Sequence, residues 1–241
     1  MTDKQKANIQ ENIVKLYLRL NGYLSTGLII HSNEKRISGE IDIIAIRFPY
    51  HVQDDTEHNS SEYLEIPATI DVVIGEVKSH GIALKFNKSL RNDDLLSLTK
   101  TLKWIGLFKK DQIDEIAQNF LDLIKPVENS QNTNFRRLLI HTEFGSVSLR
   151  PILFGPENIS TPSMSDKFVG WREIDNFLWS CLCPSFIREE CGTRYDFNAW
   201  GNELCDIVKV YKDRQAEQNR FANIKELYTA INLKNTGSII N

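Results

Sequence analysis

The run Ile70-Asp71-Val72-Val73-Ile74-Gly75-Glu76-Val77-Lys78 constrains this chain more than any other stretch, because it sets an acid and a lysine at the end of an otherwise largely apolar strand. Successive side chains of a strand point to opposite faces, so Glu76 and Lys78 share one face while Val77 takes the other. A second run, Gly39-Glu40-Ile41-Asp42-Ile43-Ile44-Ala45, lies a short way upstream and places Asp42 among isoleucines. Burying one carboxylate beside another is costly unless a cation or hydrogen bonds compensate. Such acids on neighbouring strands point to a divalent ion site, and oxygen ligands favour Mg2+ or Mn2+. Asp71 faces the other side by the same alternation and belongs at the strand's entrance. Glu40 shares a face with Asp42 by the same alternation and could assist it or serve as an alternative ligand; its plainer reading is an exposed strand acid.

Upstream, the segment from Gln10-Glu11-Asn12 to Asn21-Gly22-Tyr23 carries apolar residues at helical spacing and ends on a glycine, which predicts an amphipathic helix from about residue 5. Taken in order, Glu11, Asp42, Glu76 and Lys78 resemble the residue pattern of the PD-(D/E)XK nuclease superfamily. A glutamate ahead of a Gly-aromatic helix end is similar to the Holliday-junction-resolvase and Mrr-type branch. The family's proline is absent, Ile41 standing before Asp42, but that branch commonly reads Glu-x-Asp-Ile-Ile-Ala. The resemblance implies a restriction-endonuclease-like α/β fold, a mixed sheet flanked by helices. It implies that Asp42, Glu76 and the backbone carbonyl of Val77 hold Mg2+ or Mn2+, that Glu11 completes the site, and that Lys78 steadies the attacking hydroxide. The implied activity is metal-dependent hydrolysis of phosphodiester bonds, with DNA as the favoured substrate and an endonuclease of defence or repair as the favoured role. It should require Mg2+ or Mn2+, improve above neutral pH and be poisoned by Ca2+. The superfamily also holds RNA cutters and inactive members, so the alternative is a nuclease-fold binding or assembly module without catalysis.

With 241 residues, 41% hydrophobic and 25% charged, the chain can bury a normal core as one large domain or a domain with an appendage. A net charge of −3 excludes a strongly basic nucleic-acid coat. The distribution is uneven, however: residues 71–110 hold eight Lys/Arg against four acids, whereas residues 49–70 hold five acids and no Lys or Arg. Lys100 and Lys103, on the helix expected after the site, are the candidates for gripping a phosphate backbone, with solvated lysines as the plainer account. His80 shares the strand parity of Glu76 and Lys78, although a turn histidine explains it as well. Trp104, Trp171, Trp179 and Trp200 are expected in the core. Cys181, Cys183, Cys191 and Cys205 lack the C-x2-C knuckles of zinc or iron–sulfur sites, so buried thiols are expected and a four-cysteine zinc protein is a third reading. Met1–Lys6 lacks an apolar signal region and no stretch approaches the roughly 20 apolar residues of a membrane span, so a cytoplasmic protein without membrane contact is expected.

The pattern predicts strands at Leu24–His31, Ile37–Phe48 and Ile70–Ser79, with an acidic loop insertion over 49–69. Helices follow, one opening at Asn92-Asp93-Asp94 and one over Ile113–Ile124, then strands at Leu138–His141 and Val147–Phe154. Residues 1–155 thus read as the nuclease-like core. Residues 156–241 read as a helical C-terminal region, with helices at Trp171–Cys183, Asn198–Gln218 and Phe221–Leu233. With no G-x-x-x-x-G-K-[ST] loop in the sequence, any motor or targeting function must come from a protein partner, and a homodimer would suit cutting of both strands.

Overall fold

A capping box opens the first helix, α1 (Asp3–Leu20): the Thr2 hydroxyl accepts from the Gln5 N–H while the Gln5 side chain accepts from the Thr2 N–H. Its apolar stripe, including Ile13, Val14 and Tyr17, is fully buried. Gly22, at φ 83°, then turns the chain into the sheet. The computed structural model describes residues 1–32, 36–51, 64, 69–79, 85–92, 95–124, 137–158, 168–183 and 200–237.

Strands β1 (Leu24–His31), β2 (Ile37–Arg47) and β3 (Ile70–Val77) form an antiparallel meander. Helices α2 (Lys88–Arg91), α3 (Leu96–Ile105) and α4 (Ile113–Ile124) then cross over. That crossover lets β5 (Gly145–Gly155) lie parallel to β3, with β4 (Leu138–Thr142) antiparallel on its other side. The short β6 (Phe168–Gly170) extends the sheet beside the last residues of β5, giving six strands in the order β1-β2-β3-β5-β4 with β6 on β5. The fold is therefore a mixed α/β sheet flanked by helices, as the sequence predicts.

The helices divide the core between the two faces. Ile43, Val73 and Phe154 pack beneath α1 together with residues of α5 (Trp171–Leu182), α6 (Asn202–Ala216) and α7 (Ile224–Gly237). Ile41, Ile44, Val72 and Ile74 pack on the other face beneath α3 and α4. Strand alternation holds along β3 but breaks in β2, where Ile41 and Ile44, three apart, face the same side. The pairing gives the reason: Thr26 opposes Ile44 and Leu28 opposes Ile41, so β2 carries one residue more than β1 at Asp42-Ile43. This is a β-bulge, and parity counted from Glu40 through Asp42 to Ile44 does not apply across it.

Several expectations change. Helix α2 and strand β6 were not legible, and the C-terminal region contributes that strand as well as helices to the core under α1. Trp171 is buried and Trp179 and Trp200 pack against the core, but Trp104 is 52% exposed. Helix α3 buries Ser97, Leu98, Thr101 and Leu102, which turns position 104 toward solvent. Among the described residues no helix is long and apolar enough to cross a membrane.

Candidate functional site

Glu76 and Asp42 meet where β3 ends beside the bulge of β2. The Glu76 side chain is fully buried, and its Oε2 receives the Lys78 ammonium at 2.6 Å and the backbone N–H of Asn87 at 2.7 Å. Lys78 Nζ also donates to Asn87 Oδ1 at 2.5 Å. Its own backbone N–H donates to the Phe154 carbonyl at 2.8 Å, which ties the end of β3 to β5. Asp42, half-buried, accepts the backbone N–H of Val77 on Oδ2 at 2.8 Å. The Val77 N–H thus ties Asp42 of β2 to the end of β3, where the Lys78 ammonium holds Glu76.

Gly75 explains why Glu76 can sit so deep. A Cβ at that position would lie 2.9 Å from the Phe154 ring and 3.1 Å from the Ile152 carbonyl. Only a residue without a side chain lets β5 approach β3 this closely at that point.

The electrostatics follow from burial. Burial pushes the Asp42 carboxyl above the usual carboxylate range, opposed by the Val77 N–H and the charges of Lys78 and Lys15. Burial likewise raises Glu76, opposed by Lys78 and the Asn87 N–H and reinforced by Asp42. Glu11, half-buried on α1, is raised by burial first, with Lys15 opposing and Asp42, Glu40 and Glu203 adding to the rise. Glu11 therefore feels the charge of Asp42, and it pairs with Lys15 at 3.9 Å.

Sequence reasoning missed Asn87 and Lys15. Asn87 is the N-cap residue of α2 but makes no side-chain cap bond, since its amide oxygen is committed to Lys78. No sequence pattern announces that role. Lys15 could have been found, since it follows Glu11 by four residues on the same helix. Glu40 is exposed. Asp71 faces away from Glu76, as alternation predicts, and is fully buried with its Oδ2 2.5 Å from both Arg150 and the Tyr23 hydroxyl. His80 lies outside the described residues, as does most of the acidic insertion. Lys103 is exposed, whereas the half-buried Lys100 donates its ammonium to the carbonyl of His31.

Glu76 Oε1 is buried with no hydrogen-bond partner among the described residues. A bare carboxylate oxygen in a low-dielectric setting is what a hard cation satisfies, so Asp42, Glu76 and the Val77 carbonyl fit Mg2+ or Mn2+. Among the described residues no group of three or more His, Cys, Asp or Glu side chains could hold a metal ion. Two carboxylates therefore leave the remaining positions to backbone oxygen and water, as Mg2+ commonly accepts. The cysteines offer different chemistry: burial pushes the Cys181 thiol up to about 11 and the Cys183 thiol up to about 12. Cys183 donates to the Tyr211 carbonyl, Cys205 is partly exposed, and Cys191 lies outside the described residues. No protein-family model, no curated protein and no solved structure matches this chain.

Proposed function

We propose that this chain is a metal-dependent phosphodiesterase of the PD-(D/E)XK kind, acting on DNA as an endonuclease in defence or repair. The observation that carries the reading is the buried Glu76 carboxylate, with one oxygen held by Lys78 and the other without a hydrogen-bond partner among the described residues, beside an Asp42 fixed by the Val77 N–H. Further support comes from the order of elements, in which a helix and three strands precede the crossover to a strand parallel to the third. Asp42, Glu76 and the Val77 carbonyl would hold the ion, which when bound supplies charge neutralisation at the phosphate and an acidified water. Lys78 orients the nucleophile and offsets charge developing on the phosphate. Asn87 holds the Lys78 ammonium in position, and Glu11 and Lys15 of α1 both interact with the charge of Asp42.

A second reading draws on the same bonds. Asp42 and Glu76 each accept structural hydrogen bonds, as they would in a nuclease-fold binding or assembly module without catalysis. Calorimetric titration of Mg2+ separates the two. The nuclease reading expects binding that is lost in Asp42→Ala, whereas equal titrations of wild type and variant would leave the binding module.

A further inference from the structure

We infer that Trp104 on α3 is a stacking platform for an unpaired base, flanked by lysines that contact the strand's phosphates, so that the nucleic acid bound by this protein includes a single-stranded stretch. Its bearing on catalysis rests on the nuclease reading above. Of the four tryptophans, Trp104 alone is mostly in water, at 52% exposure against 2% for Trp171, while Trp179 and Trp200 pack on the core. Phe48, Tyr50 and Phe144 are at least as exposed, but none of them stands next to a lysine in the chain, as Trp104 does after Lys103.

The surroundings suit a polyanion. Residues 95–110 carry Lys100, Lys103, Lys109 and Lys110, the last three of them exposed, and the nearest acids in the chain are Asp93-Asp94 before the run and Asp111 after it. Single-strand binders combine such positive charge with aromatic rings, because an unpaired base offers its π face whatever its identity. A duplex keeps its bases stacked inside and has none to offer an exposed indole. A protein partner could also seat on a tryptophan, but the four lysines within residues 100–110 favour nucleic acid.

The position relates the platform to the proposed site. Lys100 clasps the carbonyl of His31, which closes β1 opposite Ile37 at the start of β2. A Cβ at Gly39 would meet Ser89 of α2 and come near Ser97 of α3. Both helices therefore lie over the end of β2 that leads to Asp42. Asp42 follows Ile37 by five residues, about 16 Å along a strand, and Trp104 follows Lys100 by about 6 Å along the helix. A strand gripped at the site could reach Trp104 within a few nucleotides.

The test is tryptophan fluorescence of the full chain without added metal, titrated with oligothymidylate, a single-stranded RNA of equal length, and a DNA duplex. Single strands should quench the emission and the duplex should not. Trp104→Ala should weaken single-strand binding by about 5- to 150-fold, the worth of one stacked base, and Trp104→Phe should restore part of the loss. The two single-stranded arms decide whether the strand is DNA or RNA. Absence of quenching by both single strands, or equal weakening of duplex binding by Trp104→Ala, would overturn the inference. Quenching by a protein that never cleaves would keep this inference and remove the nuclease; cleavage with no effect of Trp104 would do the reverse.

Discussion

Glu76 depends for its place on two neighbours that are distant from each other in kind: Lys78, two residues on and just past the end of β3, and Asn87, at the entrance of the next helix. The first was legible in the sequence, because alternation along a regular strand puts Glu76 and Lys78 on one face. The second was not, because only the tertiary fold brings a polar residue outside β3 back to it. Asn87→Ala should lower kcat by about 10- to 100-fold, the usual cost of removing a residue that positions a site group, with KM nearly unchanged. A KM effect alone would mean that Asn87 serves binding. Asp71 shows the opposite case, a buried acid with no part in the site. Asp71→Ala would leave Arg150 charged and buried without that carboxylate and should cost about 3–5 kcal/mol in urea unfolding, while Mg2+ titration stays as in wild type. Loss of Mg2+ binding in a folded Asp71→Ala protein would place Asp71 in the site after all. Trp104 was misread because the tendency of apolar residues to lie inside runs one way only; an aromatic in an amphipathic helix still has to fall on the buried face.

Among the elements, the contrast between β2 and β3 sets the limit of sequence reading. Strand β3 is buried on both faces and regular, so its period of two predicted where Glu76, Lys78 and Asp71 point. Strand β2 contains the extra residue at Asp42-Ile43, which depends on its pairing with β1 and therefore on a non-local register. The boundaries of β1 and α4 were legible because strong apolar patterns end there at turn-forming or polar residues. Helix α2 and strand β6 were too short to show a period. Gly75 links element to site: Gly75→Ala places a methyl against Phe154 and should destabilise by about 1–3 kcal/mol, read as a lower urea midpoint. The same push displaces Glu76, so activity should fall more than the lost stability accounts for. Unchanged stability would mean that β5 has room to yield.

At the scale of the whole molecule, the C-terminal helices are part of the core that positions α1. Ile174, Leu178, Ile207, Tyr211 and Leu227 are buried in the same cluster as Ile13, Tyr17 and Phe154. A chain ended at residue 158 should therefore fail to unfold cooperatively, whereas a sharp urea transition would make residues 1–158 an independent unit. Asp175 ties α5 to α6 and the residues beyond it, with its carboxylate accepting from Tyr211 at 2.8 Å and from Arg220 at 3.0 Å. Burial raises its pKa despite those partners. The folded state then holds the proton more tightly than the unfolded chain. This contribution is full below the unfolded value and is lost as pH rises through the folded one. Wild type should gain stability relative to Asp175→Asn as pH falls from neutral toward the ordinary carboxylate range, and a relative loss would reverse the assignment. The most direct test of the central claim is cleavage of plasmid, linear duplex, single-stranded DNA, four-way junction and RNA in Mg2+, with Lys78→Ala alongside and a chelator control. The account predicts cleavage that both Lys78→Ala and the chelator abolish; cleavage that survives either one would contradict it.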